Sequence, residues 1–552
     1  MLPYRSLRHI GRARHVGAVL VKYGLGHLIS RLGLRRLLPV RRWRVSGGYG
    51  GISTAERVRL ALEELGPTGV KLGQVLSTRS DIIPEGYLRE LRRLQDHGLS
   101  VPFEQIKQTI EKEFKQPLDS LFSSFEPEPL ACASIGQVHR ATLNDGEGVI
   151  VKVQRPGVDA IVEADQGIIA DIAAMLHLRV PSLRRYDLPG FAREFRSVMH
   201  DELVYTIEGH NADTLRELLA KEDRVHVPRV YWDRTSRCVL TLEYLDGNRI
   251  DNLEEIDKQG LDRKDLAARL ARSILSQIFV HSIFHADPHQ GNVWVLRDGR
   301  LALLDLGMMG RLDEQMRRGL VEMLLAVFRR DADGLLEQLA EIGVVGEGTD
   351  SASLRRDLSR LLARYYFLSR SQMPLGELFN RVITLMFHHD VRLPTEFPLM
   401  AKALVVTEGI CRELDPDFDF HEAAKPVVAR LKAEYFSPAR LAGEFLDTVN
   451  TFRRHVVTLP TRLNRVLTAI DRGALKVRAM EEDADRRLAR QSALANRVCL
   501  SILLAAVGVG SVIIVLSPSV SATAKLWVAV PVVALFAISI LALLAGSLRL
   551  HR

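Results

Sequence analysis

The sequence predicts an α+β chain: a helical N-terminal extension, a two-lobed mixed body, and two C-terminal transmembrane helices. Three observations predict it. Apolar periodicity is helical from Ser53 to about Leu94. It changes to short apolar runs split by turn residues between 121 and 158, and again between 283 and 305. Two uncharged apolar runs of spanning length close the chain. With 552 residues, 47% hydrophobic and 26% charged, the chain has room for one large domain or two to three modest ones, and wholesale disorder is excluded. Its four cysteines, Cys132, Cys238, Cys411 and Cys499, are at least 88 residues apart, which argues against a disulfide scaffold or a CxxC metal site and fits a reducing compartment.

The first element is a basic membrane-proximal arm, residues 1–50. It holds eleven Lys or Arg and no Asp or Glu, whereas the remaining 502 residues carry 64 basic and 67 acidic side chains. The net charge of +8 therefore belongs to the arm. Within it, 16–29 reads VGAVLVKYGLGHLI between arginine clusters, with no cleavage site after it. This predicts an interfacial helix on an anionic leaflet, with a solvated basic tail as the alternative.

Residues 51–115 form the helical extension. Pro67 suits a first helical turn, and Lys71, Gln74 and Thr78 at i, i+3 and i+7 share a face near Arg79 and Asp81. A polar row of this kind is either a solvent face or part of a site.

Residues 116–247 form the first lobe. Asn144-Asp145-Gly146 splits two strand-like runs, a hairpin pattern. ACASIGQV precedes the first strand, and the second carries Lys152 between Val151 and Val153. A small-residue loop, a strand, a turn and a strand with one inward Lys is how a kinase N-lobe holds nucleotide phosphates. In the kinase loop pattern G-x-G-x-x-G-x-V, the marked places are filled here by Ala131, Ala133, Gly136 and Val138. A Cβ at the alanines keeps the backbone farther from phosphate. One helical segment is expected from near Asp187 past Glu208. Glu202 and Glu208, about 120° apart around a helix, would serve Lys71 and Lys152 or stand as surface glutamates. TLEYLDG, with Glu243, ends a strand where an inter-lobe hinge falls.

Residues 248–400 form the second lobe. Asp287 precedes Asn292 by five residues, as in H-R-D-L-x-x-x-N, and Asp305-Leu306-Gly307 follows Asn292 by thirteen, after a hairpin turned at Arg297-Asp298-Gly299. That order gives a catalytic loop, a hairpin and a metal-binding Asp-x-Gly. His281, His285 and His289 recur every four residues. Pro288 and Gly291 break the shared helical face that a zinc site would need, so His285 reads as a structural residue of the loop. Amphipathic helices such as RRGLVEMLLAVFRR continue into a helical juxtamembrane region, 401–497.

The chain closes on a hairpin, 498–548. VCLSILLAAVGVGSVIIVL and LWVAVPVVALFAISILALLAGSL flank nine residues containing only Lys525 as a charge. Buried core helices rarely run this long without a polar face. Arg486, Arg487, Arg490 and Arg497 precede the first span, and Arg549 and Arg552 follow the second, so the positive-inside rule puts both ends and the body on the cytoplasmic side.

Together these residues resemble the UbiB family of atypical kinase-like proteins, the AarF-domain proteins. The resemblance rests on K-x-G-Q at Lys71–Gln74, the alanine-rich loop Ala131–Val138, Lys152, and H-x-D-x-H-x-G-N from His285 to Asn292. It covers about residues 60–310 and implies a two-lobed protein-kinase-like fold, with the K-x-G-Q helix over the cleft. The C-terminal hairpin looks like that of bacterial members that support ubiquinone biosynthesis at the inner membrane.

The implied cofactors are ATP and Mg²⁺. The resemblance gives Asp287, Lys152 and Glu208 catalytic roles. Leu130, Ala131, Cys132, Ala133, Ser134, Ile135, Gly136, Gln137, Val138, Lys152 and Glu243 are expected to bind nucleotide, and Asn292 and Asp305 the metal. Lys71, Gln74 and Glu202 are expected to be regulatory. The family's E-x-D is Glu202-Leu203-Val204 here, without the Asp. Expected partners are anionic inner-membrane lipids and quinone precursors or other quinone-biosynthesis enzymes, with no nucleic acid and with a homodimer left open. The function expected is a membrane-anchored atypical kinase or ATPase. A conventional Ser/Thr protein kinase and a non-enzymatic nucleotide-gated lipid-binding scaffold are the alternatives. Against the former, no A-P-E follows Asp305 within sixty residues.

Overall fold

The computed structural model describes residues 7–26 and, with short interruptions, 51–435. The expected hairpin at 498–548 and most of the juxtamembrane region lie outside the described residues. Among the described residues, no helix is long and apolar enough to cross a membrane.

The N-terminal extension begins with α1 (Leu7–Lys22), α2 (Thr54–Glu64), α3 (Pro67–Leu76) and α4 (Glu85–Leu91). Ser53 caps α2 by accepting the Glu56 N–H at 3.1 Å. Gly66, at φ 84°, turns the chain into α3, whose first residue is Pro67. Among the described residues, the helical pattern from Ser53 to Leu94 is thus three helices. Thr78, Arg79 and Asp81 lie outside the described residues.

The first lobe contains α5 (Phe103–Phe114), α6 (Leu118–Leu121), β1 (Ser124–Phe125), β2 (Ala131–Cys132), β3 (Gly136–Thr142), β4 (Gly148–Gln154), α7 (Val158–Arg179), α8 (Leu188–Glu202), α9 (Tyr205–Leu219), β5 (Val225–His226) and β6 (Val239–Glu243). Its sheet runs β1-β3-β4-β6, with β2 paired to β3, all antiparallel. Gly146, at φ 91°, makes the β3–β4 turn expected at Asn144-Asp145-Gly146. Val149, Val151 and Val153 alternate onto one face of β4 and pack on Ile106 and Ile110 of α5. The sequence division placed α5 in the extension, but its apolar stripe covers this sheet, so it packs as part of the first lobe. Lys152, one residue out of phase with the valines, faces the other way.

The second lobe contains β7 (Gly247–Arg249), α10 (Leu253–Lys258), α11 (Arg263–Ser276), a π-turn (Gln277–His281), β8 (Ile283–His285), β9 (Val293–Leu296), β10 (Leu301–Leu303), β11 (Met309–Arg311), α12 (Glu314–Arg329), α13 (Ala332–Glu341), α14 (Ser351–Tyr366), α15 (Leu375–His388), α16 (Glu396–Leu414) and α17 (Phe420–Tyr435). Strands β5-β10-β9-β7 form one sheet and β8-β11 a ribbon. The largest core cluster joins α11 and the π-turn to α16 and α17 through residues such as Leu270, Ile274, Leu404 and Leu431. The expected boundary at 400/401 falls inside α16. Residues 401–435 are part of the lobe, because α16 packs on α11 and α15, and α17 on α11 and the π-turn.

The arm also departs from expectation. Ala13, Val16 and Val21 of α1 pack with Ile168 of α7. Arg12 forks onto Asp165 at 2.7 and 2.8 Å and donates to the Leu65 carbonyl at 2.6 Å. The stretch expected to lie on a leaflet therefore spends its apolar stripe, as far as it is described, inside the protein.

Candidate active site

Strand β4 carries Lys152 to the face turned toward α9. There its Nζ lies 2.7 Å from Glu208 Oε2 and 3.8 Å from Asp305 Oδ1, and 5.1 Å from the Tyr205 ring centroid. Lys152 and Glu208 are nearly buried, while the Asp305 side chain is 51% exposed. Burial pushes the Glu208 carboxyl up to about 7 against the pull of Lys152. Lys152 overcomes burial to hold Asp305 down at about 2. Burial opposes the Lys152 charge, but Asp305 and Glu208 together raise its pKa well above the ordinary lysine value.

A second pair lies alongside. Lys71 of α3 meets Glu202 at the end of α8, Nζ to Oε2 2.8 Å, both largely buried. Glu202 and Glu208 do not share one helix as expected. The chain breaks at Leu203-Val204, where Val204 takes φ −120° and ψ 88° and the Tyr205 N–H turns to the Arg237 carbonyl. The angle around one helix therefore does not apply, yet each glutamate meets the lysine expected for it. Gln74 lies on the same helix as Lys71, one turn on. A Cβ built on Gly307 would lie 3.3 Å from Asp305 Oδ1 and 3.9 Å from Glu202 Oε2. The two ion pairs thus converge on the Asp-x-Gly turn.

The loop over the cleft is only partly as expected. β3 sets Val138 opposite Lys152, so Gly136 and Val138 share its face. A Cβ on Gly136 would sit 2.3 Å from Tyr205 Oη and 2.6 Å from the Val153 carbonyl. Glycine is required there by close approach, at negative φ. Ala133 donates its N–H to the Gly136 carbonyl at 2.9 Å and accepts from Arg155 Nη2 at 2.9 Å, closing the turn. Leu130 is exposed beside Ala131 and Cys132 at the mouth, and Ser134 is buried in the turn.

Three expected nucleotide contacts are not brought to the cleft. Ile135 is buried in the main core. Gln137 is out of phase with Lys152. Its Oε1 accepts the Val101 N–H at 2.5 Å on the back of the sheet. Glu243 has the same phase as Val239, and its side chain accepts from His226 Nε2 at 2.9 Å and the Arg229 N–H at 3.1 Å. The period of two that aims Lys152 inward turns Gln137 and Glu243 outward.

The catalytic loop runs between β8 and β9. His285 is fully buried. Its Nδ1 accepts the Asp287 N–H at 3.2 Å, and Nε2, left as the donor, reaches the Leu304 carbonyl at 3.1 Å. Burial depresses its pKa, consistent with a neutral ring. Asn292 donates from Nδ2 to the Asp287 carbonyl at 3.2 Å. Asp305 stands at φ 51°, a left-handed setting that costs a non-glycine residue on the order of 1–3 kcal/mol.

Three contributions were not foreseen. Lys402 of α16 places Nζ 2.8 Å from Asp287 Oδ1. Burial would raise that carboxyl, but Lys402 outweighs it and holds Asp287 below its ordinary value. Gln290 on the same loop bonds Glu413, also on α16. Asn211 of α9 donates to the Leu306 carbonyl at 3.0 Å and accepts from Arg311 at 3.2 Å, locking the Asp-x-Gly turn to the helix that carries Glu208. The available signal for Lys402 was a lone charge inside the apolar run FPLMAKALVV.

The chain is similar to proteins of one family. The model of the ABC1 atypical kinase-like domain matches residues 93–339, and that of the UbiB helical domain matches residues 358–419. A Xanthomonas campestris protein named "Probable protein kinase UbiB" is 32% identical, over 82% of this chain and 84% of its own. An Arabidopsis thaliana chloroplast protein named "Activity of bc1 complex kinase 7" is 32% identical over 86% and 70%. An uncharacterized Synechocystis protein is 35% identical over 82% and 80%.

Proposed function

Because the chain belongs to the ABC1/UbiB family of atypical kinase-like proteins, we propose that it is a membrane-anchored, MgATP-binding kinase or ATPase that supports isoprenoid quinone synthesis. The observation that carries the catalytic part is the Lys152 ammonium held between Glu208 at 2.7 Å and Asp305 at 3.8 Å. A buried lysine shared by two carboxylates beside an Asp-x-Gly turn is the arrangement of a phosphate-neutralising kinase lysine. The quinone part rests on the family resemblance. The anchoring rests on the uncharged runs 498–516 and 526–548 and their arginine flanks, which favour the inner membrane with the body on its cytoplasmic side.

Each side chain then has a task. Lys152 neutralises phosphate oxygens, and Glu208 fixes its direction. Asp287, kept ionised by Lys402, accepts a proton from an attacking hydroxyl or positions a water. Asp305 and Asn292 would hold Mg²⁺. The donor set fits: one half-exposed, fully ionised carboxylate and one amide suit an ion that takes few protein ligands and the rest from phosphates and water. Among the described residues no trio of His, Cys, Asp or Glu is arranged to cage a metal. When bound, Mg²⁺ offsets charge on the transferring phosphoryl group. The Lys71–Glu202 pair pins the α3 cover against the turn, a regulatory contact that nucleotide or lipid would have to outcompete.

A short segment between Asp305 and α12, part of it already paired as β11, leaves little chain to present a peptide. This favours a small-molecule acceptor or water over a Ser/Thr protein substrate. The experiment is phosphate release from ATP by the full chain, with and without anionic vesicles, alongside radiolabelled transfer into a lysate. MgATP-dependent release with no labelled protein supports the reading. Labelled protein bands would move it to a protein kinase, and neither signal, with ATP bound, to a scaffold.

A further inference from the structure

Apart from the cleft, the second lobe holds a cavity of about 510 Å³ between α11, α17 and the start of β5. One face of α11 lines it with Asp265, Arg269, Arg272 and Ser276, at i, i+4, i+7 and i+11. Arg224 enters from β5 and Arg430 from α17. Four arginines and one aspartate thus line it, with Asp262 also acting on Arg269. Asp265 is shared, paired with Arg269 and 3.7 Å from Arg224. Arg269 is also tied to the fold through the Gly299 carbonyl at 2.9 Å. Arg272 spends only Nε on the Ala268 carbonyl, at 3.1 Å, and among the described residues neither Arg272 nor Arg430 has a carboxylate partner. Burial first, then the neighbouring Arg224 and Arg272 charges, depress the Arg269 pKa, so these cations act on one another across the cavity.

Arg224 is 65% and Asp265 39% exposed, so water reaches these charges, and an anion entering the cavity would gain direct pairing with Arg272 and Arg430. Guanidinium forks match phosphate oxygens two at a time. Val225, Pro426 and Val427 supply an apolar wall beside them, and the volume suits a small ligand.

We propose that this cavity is an anion site that takes a phosphate or diphosphate group, carried by a free phosphorylated compound or by a phospholipid head. It is separate from the nucleotide cleft. β10, which pairs with β5 at Leu301 and Ala302, links the two before the chain reaches Asp305.

The test uses the full chain in detergent, titrated with pyrophosphate and, separately, with glycerophosphoglycerol, the water-soluble head of phosphatidylglycerol. Arg272→Gln/Arg430→Gln should weaken binding at least tenfold while MgATP affinity stays unchanged, which also reports that the chain is folded. The Lys/Lys double variant should retain more binding than the Gln/Gln variant. Asp265→Asn should tighten binding, a gain that misfolding does not produce. Raising salt should weaken all of it. Pyrophosphate binding alone identifies a free ligand, and binding of glycerophosphoglycerol alone identifies a lipid head. Wild-type affinity in the Gln/Gln and Asn variants, or no binding of either probe by wild type, overturns the site.

Discussion

Lys152→Met should make the stability of this protein depend on pH in a way the wild type does not. The substitution removes the ammonium 2.7 Å from Glu208, in a pair whose side chains are only 14% and 8% exposed. Breaking a buried pair from one side costs about 3–5 kcal/mol when the orphan stays charged. Glu208 has a way out: with Lys152 present its pKa is already about 7, so without it the carboxyl keeps a proton well into the alkaline range. A carboxyl whose folded pKa is raised loses stability as pH climbs from its unfolded value to its folded one. In the wild type that loss is complete near pH 7. In the variant it continues, at about 1.4 kcal/mol per pH unit. The two curves should lie close at pH 6 and separate by about 3 kcal/mol at pH 9. In the wild type neither Lys152, with its raised pKa, nor Asp305, near 2, titrates in that window; in the variant Asp305 loses Lys152 but keeps the lowering pull of Lys71. Thermal midpoints of both chains from pH 6 to 9 measure this, at roughly 1–2 °C per kcal/mol for a body of this size. Parallel curves across the range would refute the claim that Glu208 depends on Lys152.

Other substitutions test the remaining parts of the site. Asp305→Asn should abolish most MgATP-dependent thermal stabilisation while leaving the apo midpoint within a few degrees, since the side chain is half exposed. Unchanged MgATP stabilisation would remove Asp305 from the metal. Ala133→Gly should tighten ATP binding at a cost on the order of 1 kcal/mol or less, because the turn closed by Ala133 and Gly136 gains freedom to approach phosphate. Equal ATP and ADP affinities in both chains would defeat that argument. Lys402→Met should lift the Asp287 pKa, shift the acid limb of the phosphate-release profile to higher pH, and lower kcat at pH 6 on the order of tenfold or more, with MgATP affinity little changed. An unshifted limb would make Lys402 a purely structural contact.

The sequence by itself determined which kinase-type residues the chain carries and their order along it. Lys152 was legible because one polar residue interrupted an alternating valine strand, and Asp287, Asn292 and Asp305 because their spacing matches a loop and a hairpin of fixed length. The pairing of Glu202 with Lys71 and of Glu208 with Lys152 was expected from the family resemblance, while residue spacing left it open. That they meet Lys71 and Lys152 depends on a helix break at Val204, which no periodicity signals. Gln137 and Glu243 sat in motif positions yet face away, since strand phase outranks motif membership in deciding where a side chain points. The tertiary structure alone decided what α1 covers. An apolar stripe with arginines reads the same whether it lies on lipid or on a neighbouring helix, and Asp165 on α7 supplied the partner that local sequence could not reveal. It also decided the Lys402–Asp287 pair, 115 residues apart in sequence. Local pattern fixes phase and element type. Contacts across such separations are set by how whole helices pack, so a lysine in a late apolar helix could become part of a loop written long before it.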